Sequence, residues 1–235
     1  MLLNLEISGE SAFNAFKFMN SRILKLVSFL FALGTVTAQS QTLNWGSLTG
    51  SDIVDSRGGA LDDTFVFQLG AFDGDFIPQE SNMGSWDTKW HVFDSATYSY
   101  NLQDGGYFTG TKDVQDVVSY SSLFAGMTAY LWIRNATGTE HFLATSTAKS
   151  MIPAWTFPAL DTGCCPNGEV TTWSVSNLVS DVPIWGSQGS QVGGGTFEAI
   201  GPFDIQTHAV PEPASLMLAV AGTCFAALRR RRVMN

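Results

Sequence analysis

Cysteine and histidine are both scarce, at three each in 235 residues. Cys164 and Cys165 are adjacent and Cys224 stands alone near the C-terminus. That excludes a disulfide-dense scaffold and a structural zinc site, which needs two separated ligand pairs. His91, His141 and His208 lie too far apart for a His-x-x-x-His pair. Also absent are a Gly-x-Ser-x-Gly elbow, a Walker loop and a dinucleotide-binding glycine motif. With no catalytic signature, the chain is expected not to be an enzyme. Acidic pairs such as Asp62-Asp63 and Asp73-Gly74-Asp75 are plentiful, but catalytic carboxylates pair in space and not along the chain.

Positive charge is missing from most of the chain. Between Gln39 and Val210 the only cations are Arg57, Lys89, Lys112, Arg134 and Lys149. Against these five stand 18 acidic residues, a net charge of −13. Such a body repels nucleic acid and anionic headgroups, so no nucleic-acid partner is expected. The remaining basic residues are gathered at the two ends.

At the N-terminal end, Met19-Asn-Ser-Arg22-Ile-Leu-Lys25 forms a short basic region. Leu26 to Leu33 is an apolar core, and Val36-Thr37-Ala38 supplies small residues before Gln39. This pattern predicts a secretory signal peptide over 19–38, cleaved between Ala38 and Gln39 and carried by the Sec translocon. Residues 1–18 carry Glu6 and Glu10, which such leaders avoid. They read as an upstream extension, with a longer leader as the alternative.

The C-terminal 26 residues carry a second address. Val210-Pro211-Glu212-Pro213 opens it, Ala214 to Leu228 has no charge, and Arg229, Arg230, Arg231 and Arg232 nearly close the chain. Each proline lacks an N–H and holds its predecessor extended, so structure stops there. The apolar run prefers lipid to water and the arginines favour the cytoplasmic face. A surface helix would show a polar stripe, and this run offers only Ser215 and Thr223. Fifteen residues rise about 22 Å as a helix, short of the roughly 30 Å hydrocarbon core, a length tolerable in a signal destined for removal.

Pro-Glu-Pro, a short hydrophobic helix and a terminal arginine cluster together resemble the PEP-CTERM sorting signal. The resemblance is confined to this tail. It implies recognition and cleavage by an exosortase, a membrane enzyme of bacteria that make exopolysaccharide. On that match Pro211, Glu212 and Pro213 are the recognition element, Ala214–Leu228 the membrane segment and Arg229–Arg232 the stop. The expected location is export across the inner membrane, with at least transient anchoring, then the envelope or the extracellular matrix.

The exported body, 39–208, is of ordinary single-domain size. Its apolar residues alternate. Phe65, Phe67 and Leu69 do so, as do Tyr98, Tyr100 and Leu102, and Met127, Ala129, Leu131 and Ile133. Val170–Val175 and Phe197–Thr207 are further strand candidates, and Gly58-Gly59, Asp104-Gly105-Gly106 and Asn167-Gly168 mark turns. Short strands at roughly ten-residue spacing predict an all-β fold, an antiparallel β-sandwich or jelly roll, between an N-terminal signal helix and a C-terminal hydrophobic helix. The spacing of Val114, Val117 and Val118 allows a helix over 113–124, although β-branching weakens it. The Gly186–Gly195 stretch reads as a surface loop.

Four site candidates follow. Trp86 and Trp90 sit in a polar run, Asn82 to Trp90, where exposed rings would stack on sugar faces. Asp73 and Asp75, with Asp52 or Asp55, offer oxygens to Ca2+, although the full EF-hand spacing is missing and acidic turns are the simpler reading. Outside the cytoplasm Cys164 and Cys165 would form a strained vicinal disulfide or remain unreacted loop thiols. His91 reads as a strand-surface residue. The functional expectation is an exported structural or adhesive surface protein associated with exopolysaccharide. A tryptophan-based carbohydrate-binding module comes second and a secreted hydrolase third.

Overall fold

The computed structural model describes residues 41–101, 105–149, 152, 154–159, 170–178 and 181–211, all within the compact unit Ser40–Asn235. Among these residues strand exceeds helix, 46% to 13%, so the body is all-β. The strands are β1 (Thr42–Gly46), β2 (Ile53–Val54), β3 (Phe65–Phe72), β4 (Trp90–Asn101), β5 (Gly105–Asp113) and β6 (Tyr130–Asn135). They continue with β7 (Glu140–Ala144), β8 (Val170–Ser174), β9 (Ser187–Gly189), β10 (Gln191–Val192), β11 (Phe203–Gln206) and β12 (His208–Ala209).

Eight of them form a curled sheet in the order β12-β7-β6-β3-β4-β5-β1-β8, and a second sheet runs β10-β9-β11-β2. Most neighbouring strands pair antiparallel, but β1 pairs with β8, and β2 with β11, in parallel. Parallel neighbours cannot be joined by a tight turn. Here more than a hundred residues separate the partners in each case, so no hairpin constrains them.

Period-two alternation divides the side chains of the large sheet between two apolar clusters. Phe67, Leu69 and Ala71 of β3, Leu131 and Ile133 of β6, and Phe142 and Ala144 of β7 enter the main core. Ile53 of β2 and Ile205 of β11 enter the same core from the second sheet. On the opposite face Phe72, Trp90, Trp132 and Leu143 join Trp86 and Trp185 in an aromatic cluster. The centre of the large sheet is therefore covered on both faces, and β7 reads Phe142-Leu143-Ala144 without a polar partner for each apolar residue. Strands buried on both faces lose the alternating signature for this reason.

The helix allowed over 113–124 is not formed. A 3-10 turn at Val114–Asp116 and one helical turn at Tyr120–Leu123 stand in its place, separated by Ser119 at φ 61°. Val114 is buried but Val118 is 86% exposed, so the valines do not share one buried face. The Gly186–Gly195 stretch is likewise no loose loop. It carries the β9–β10 hairpin, and Gly186, Ser187 and Gln188 are buried.

Candidate functional site

Trp86 and Trp90 are not exposed: they are 1% and 9% accessible and belong to the aromatic cluster. Their polar neighbours serve them internally. Asn82 Oδ1 accepts the Trp86 indole N–H at 2.9 Å, and Gln68 Oε1 accepts that of Trp90 at 3.1 Å. Trp86 stands edge-on to Trp132 and Trp185, at centroid distances of 5.9 and 6.2 Å. The sugar-stacking role expected of these two rings is thus corrected to a packing role.

Asp73 is already engaged by side chains of the protein. Its carboxylate accepts from Lys89 Nζ at 3.0 Å and pairs with His91 Nε2 at 2.6 Å. These hydrogen bonds, His91 first and Lys89 second, hold the Asp73 carboxyl below the ordinary carboxylate range. Asp55 Oδ1 accepts the backbone N–H groups of Arg57 and Gly59 and so closes a tight turn. Among the described residues no three His, Cys, Asp or Glu side chains gather as a metal-binding group. Ala38, Gln39, Cys164, Cys165, Glu212, Pro213 and Arg229–Arg232 lie outside the described residues. Val210 and Pro211 lie at their very end, where the Val210 N–H donates to Thr139 O at 2.8 Å.

Two buried polar groupings tie the sheets together. Glu140 accepts from Ser56 Oγ at 2.9 Å, from Ser56 N at 3.2 Å and from Thr207 Oγ1 at 2.8 Å. His208 Nδ1 lies 2.7 Å from Gly194 O, and its Nε2 lies 3.2 Å from Ser187 Oγ. A serine and an imidazole at that distance suggest a nucleophile and its base. Both are closed to solvent, and the Ser187 hydroxyl donates to Gln206 Oε1 at 2.9 Å. The geometry fastens β9, β11 and β12 and presents no nucleophile to a substrate.

An open cleft lies between β2 and the β4–β5 ladder. A cleft of about 310 Å3 is lined there by Ser51, Asp52, Ile53, Tyr98, Tyr100 and Gly106, among others. Ladder register places Tyr98 and Tyr100 on one face, opposite Phe108 and Gly106. Ser51 and Gly106 exchange backbone hydrogen bonds of 3.1 and 3.3 Å, which fixes the floor. Tyr98 stacks on Phe67 at 5.3 Å and lies across Gly106, where a Cβ would fall 2.0 Å from its hydroxyl. Glycine at 106 is therefore required by this close approach. Tyr100 is 50% exposed, whereas Tyr98 Oη is shielded from solvent with no hydrogen-bond partner. Burial, with the neighbouring Tyr100 and Asp52 adding to it, pushes the Tyr98 phenol up from its ordinary value.

Sequence reasoning placed Tyr98 and Tyr100 on a strand but assigned them no role. The available signal was a Tyr-x-Tyr strand followed by Gly105-Gly106, small residues that leave room across a hairpin. Comparison with protein-family models, with curated proteins and with solved structures found no match.

Proposed function

We propose that the chain is an exported structural or adhesive protein of the cell surface or extracellular matrix, processed through its Pro211-Glu212-Pro213 signal. The observation that carries this reading is the order of the tail. Its triplet, uncharged run and arginine cluster follow directly on an all-β body whose last described strand ends at Ala209. The basic–apolar–small pattern of 19–38 supports delivery through the Sec translocon, and the tail supports an exosortase as the processing partner. The acidic body suits a solvated extracellular protein.

We read the two sheets as the layers of a β-sandwich, in which Ile53 and Ile205 of the smaller sheet join the core of the larger. A secreted hydrolase is the weaker reading, because the Ser187–His208 contact is sealed from solvent.

The test compares parent and a variant with Pro211, Glu212 and Pro213 all replaced by alanine. Immunoblots of fractionated cells should show a trimmed parent and an untrimmed, membrane-retained variant. Equal trimming of the two, or a full-length parent soluble in the cytosol, refutes the reading.

A further inference from the structure

We infer that β12 gates the processing of the tail. It holds the residues that the processing enzyme must grip, so the folded chain is trimmed only while Ala209 and Val210 are detached. This rests on the reading of Pro211-Glu212-Pro213 as the processing signal.

The first argument is that no residue separates the hydrogen-bonded fold from the signal. Ala209 is pinned on both edges. It pairs with Glu140 of β7. On its other side its N–H donates to Thr196 O at 2.8 Å, and the Thr196 N–H donates to Ala209 O at 3.0 Å. The Val210 N–H donates to Thr139 O at 2.8 Å, and the Val210 side chain packs, partly buried, against the aromatic cluster. Pro211, exposed, comes next and opens the triplet. It has no N–H to extend the ladder and keeps Val210 extended. Fold and signal therefore abut at the Val210–Pro211 bond.

The second argument is the way an extended segment is recognised. Such a segment lies in a groove and is held through its main-chain N–H and C=O groups, with its side chains in pockets. A groove that takes the triplet also takes the residues just before it. The backbone groups of Ala209 and Val210 are already given to Thr196 and Thr139. Docking of β12 and binding of the enzyme thus compete for the same groups.

The third argument is that the contest is local. Each of the three backbone hydrogen bonds just named shifts the equilibrium by about two- to tenfold, so together they hold the detached form to roughly 0.1–10%. Behind them the chain is fixed more firmly. His208 is fully buried, its carbonyl accepts the Trp185 indole N–H at 3.0 Å, and Thr207 Oγ1 donates to Glu140 Oε2 at 2.8 Å. Detachment stops there, and Ala209–Val210 open as a small unit without unfolding the sheet. Trimming then follows the population of the open form. A chain whose β12 has not yet docked is trimmed without this delay.

The experiment follows the full chain by pulse–chase and immunoblot in cells that carry an exosortase. The parent is compared with a form carrying Gly-Ser-Gly-Ser-Gly inserted between Val210 and Pro211, and with the double variant Thr196→Cys, Ala209→Cys. The insertion leaves every body residue in place and gives the enzyme free backbone, so trimming should be at least about threefold faster than in the parent. Residues that exchange both hydrogen bonds across an antiparallel pair have Cα atoms about 5.5 Å apart, within disulfide range. The cysteine pair therefore locks Ala209 to Thr196 after export. Trimming of the locked form should fall at least about tenfold, and a membrane-permeant reductant should return it to the rate of the parent under the same reductant. Equal rates for parent and insertion overturn the gate and leave the processing signal standing, as does a locked form trimmed as fast as its reduced form. Alkylation reads whether the lock has closed; where it has not, the insertion alone decides. No trimming of any form, the insertion included, overturns the processing reading and the gate with it.

Discussion

Trp132 donates its indole N–H to Nδ1 of His141 across 2.9 Å, in a setting where both residues are buried. An Nδ1 that accepts carries no proton, so the ring's N–H is on Nε2, which donates to Gly138 O at 3.0 Å. His141 is thereby fixed as one neutral tautomer. Protonating Nδ1 would set two N–H donors against each other inside the aromatic cluster. Burial, aided by the nearby Arg134 cation, pushes the imidazole below its ordinary value.

A pH dependence of stability follows. His208 is also pushed down, mainly by burial, against the opposing pull of Gly194 O and Glu140. In the unfolded chain both histidines titrate near 6.5. Below that pH the unfolded state binds more protons than the folded state, so stability falls as pH falls, by at most about 1.4 kcal/mol per pH unit for each histidine. Above pH 6.5 the effect vanishes. Urea midpoints measured from pH 8 to 5 should hold steady, then drop below about 6.5, and His141→Phe should flatten part of the drop. A second loss begins below 3.8, where the Asp73 interactions with His91 and Lys89 are titrated away. A midpoint that stays constant from pH 7.5 to 5 contradicts the burial assigned to these rings.

Trp86 is the second test. Fully enclosed by Phe72, Trp132 and Trp185, it should cost about 3–5 kcal/mol on truncation to alanine. Chemical denaturation reads this directly. A Trp86→Ala protein that keeps its stability would restore the exposed-ring reading of the polar run.

That run shows where sequence reasoning stops. Asn82, Ser85, Asp87 and Thr88 surround Trp86 with polarity, and a polar neighbourhood argues for exposure. The single helical turn Trp86–Lys89 directs the tryptophan inward and leaves its neighbours outside, with Asn82 spent on the indole N–H. The strands at 65–69 and 170–174 were legible because one face of each is less buried than the other. β5 was not: Gly105 and Gly106 read as turn residues. The smallness of Gly106 and Gly110 instead admits the rings of Tyr98 and Trp45 against the strand. The cleft joins residues some 50 positions apart, from Ser51 to Gly106, and no local pattern could bring them together.

Glu140 offers a third prediction. It satisfies Ser56 and Thr207, which are 5% and 0% exposed. Glu140→Ala leaves buried donors without a partner, at roughly 1–3 kcal/mol for each group. Glu140→Gln retains an acceptor oxygen and should lose less. Thermal unfolding of the pair distinguishes them, and equal stability of alanine and glutamine variants would mean that the hydrogen bonds contribute nothing.

Gly70 is the sharpest packing test. A Cβ there would stand 2.2 Å from His91 O and 2.6 Å from the Trp90 ring. The carbonyl belongs to β4, which pairs with β3 across a register shift between Leu69 and Gly70. Backbone held by a ladder cannot retreat as a flexible side chain would, so one methyl group forces the sheet or the indole to move. Overpacking of this kind costs typically about 1–3 kcal/mol. Gly70→Ala should therefore lower the urea midpoint and alter the tryptophan fluorescence of the aromatic cluster together. Gly84→Ala, where nothing lies within 4 Å of the added carbon, is the matched control and should leave both unchanged. If Gly70→Ala behaves like Gly84→Ala, Trp90 does not lie on the sheet at this position.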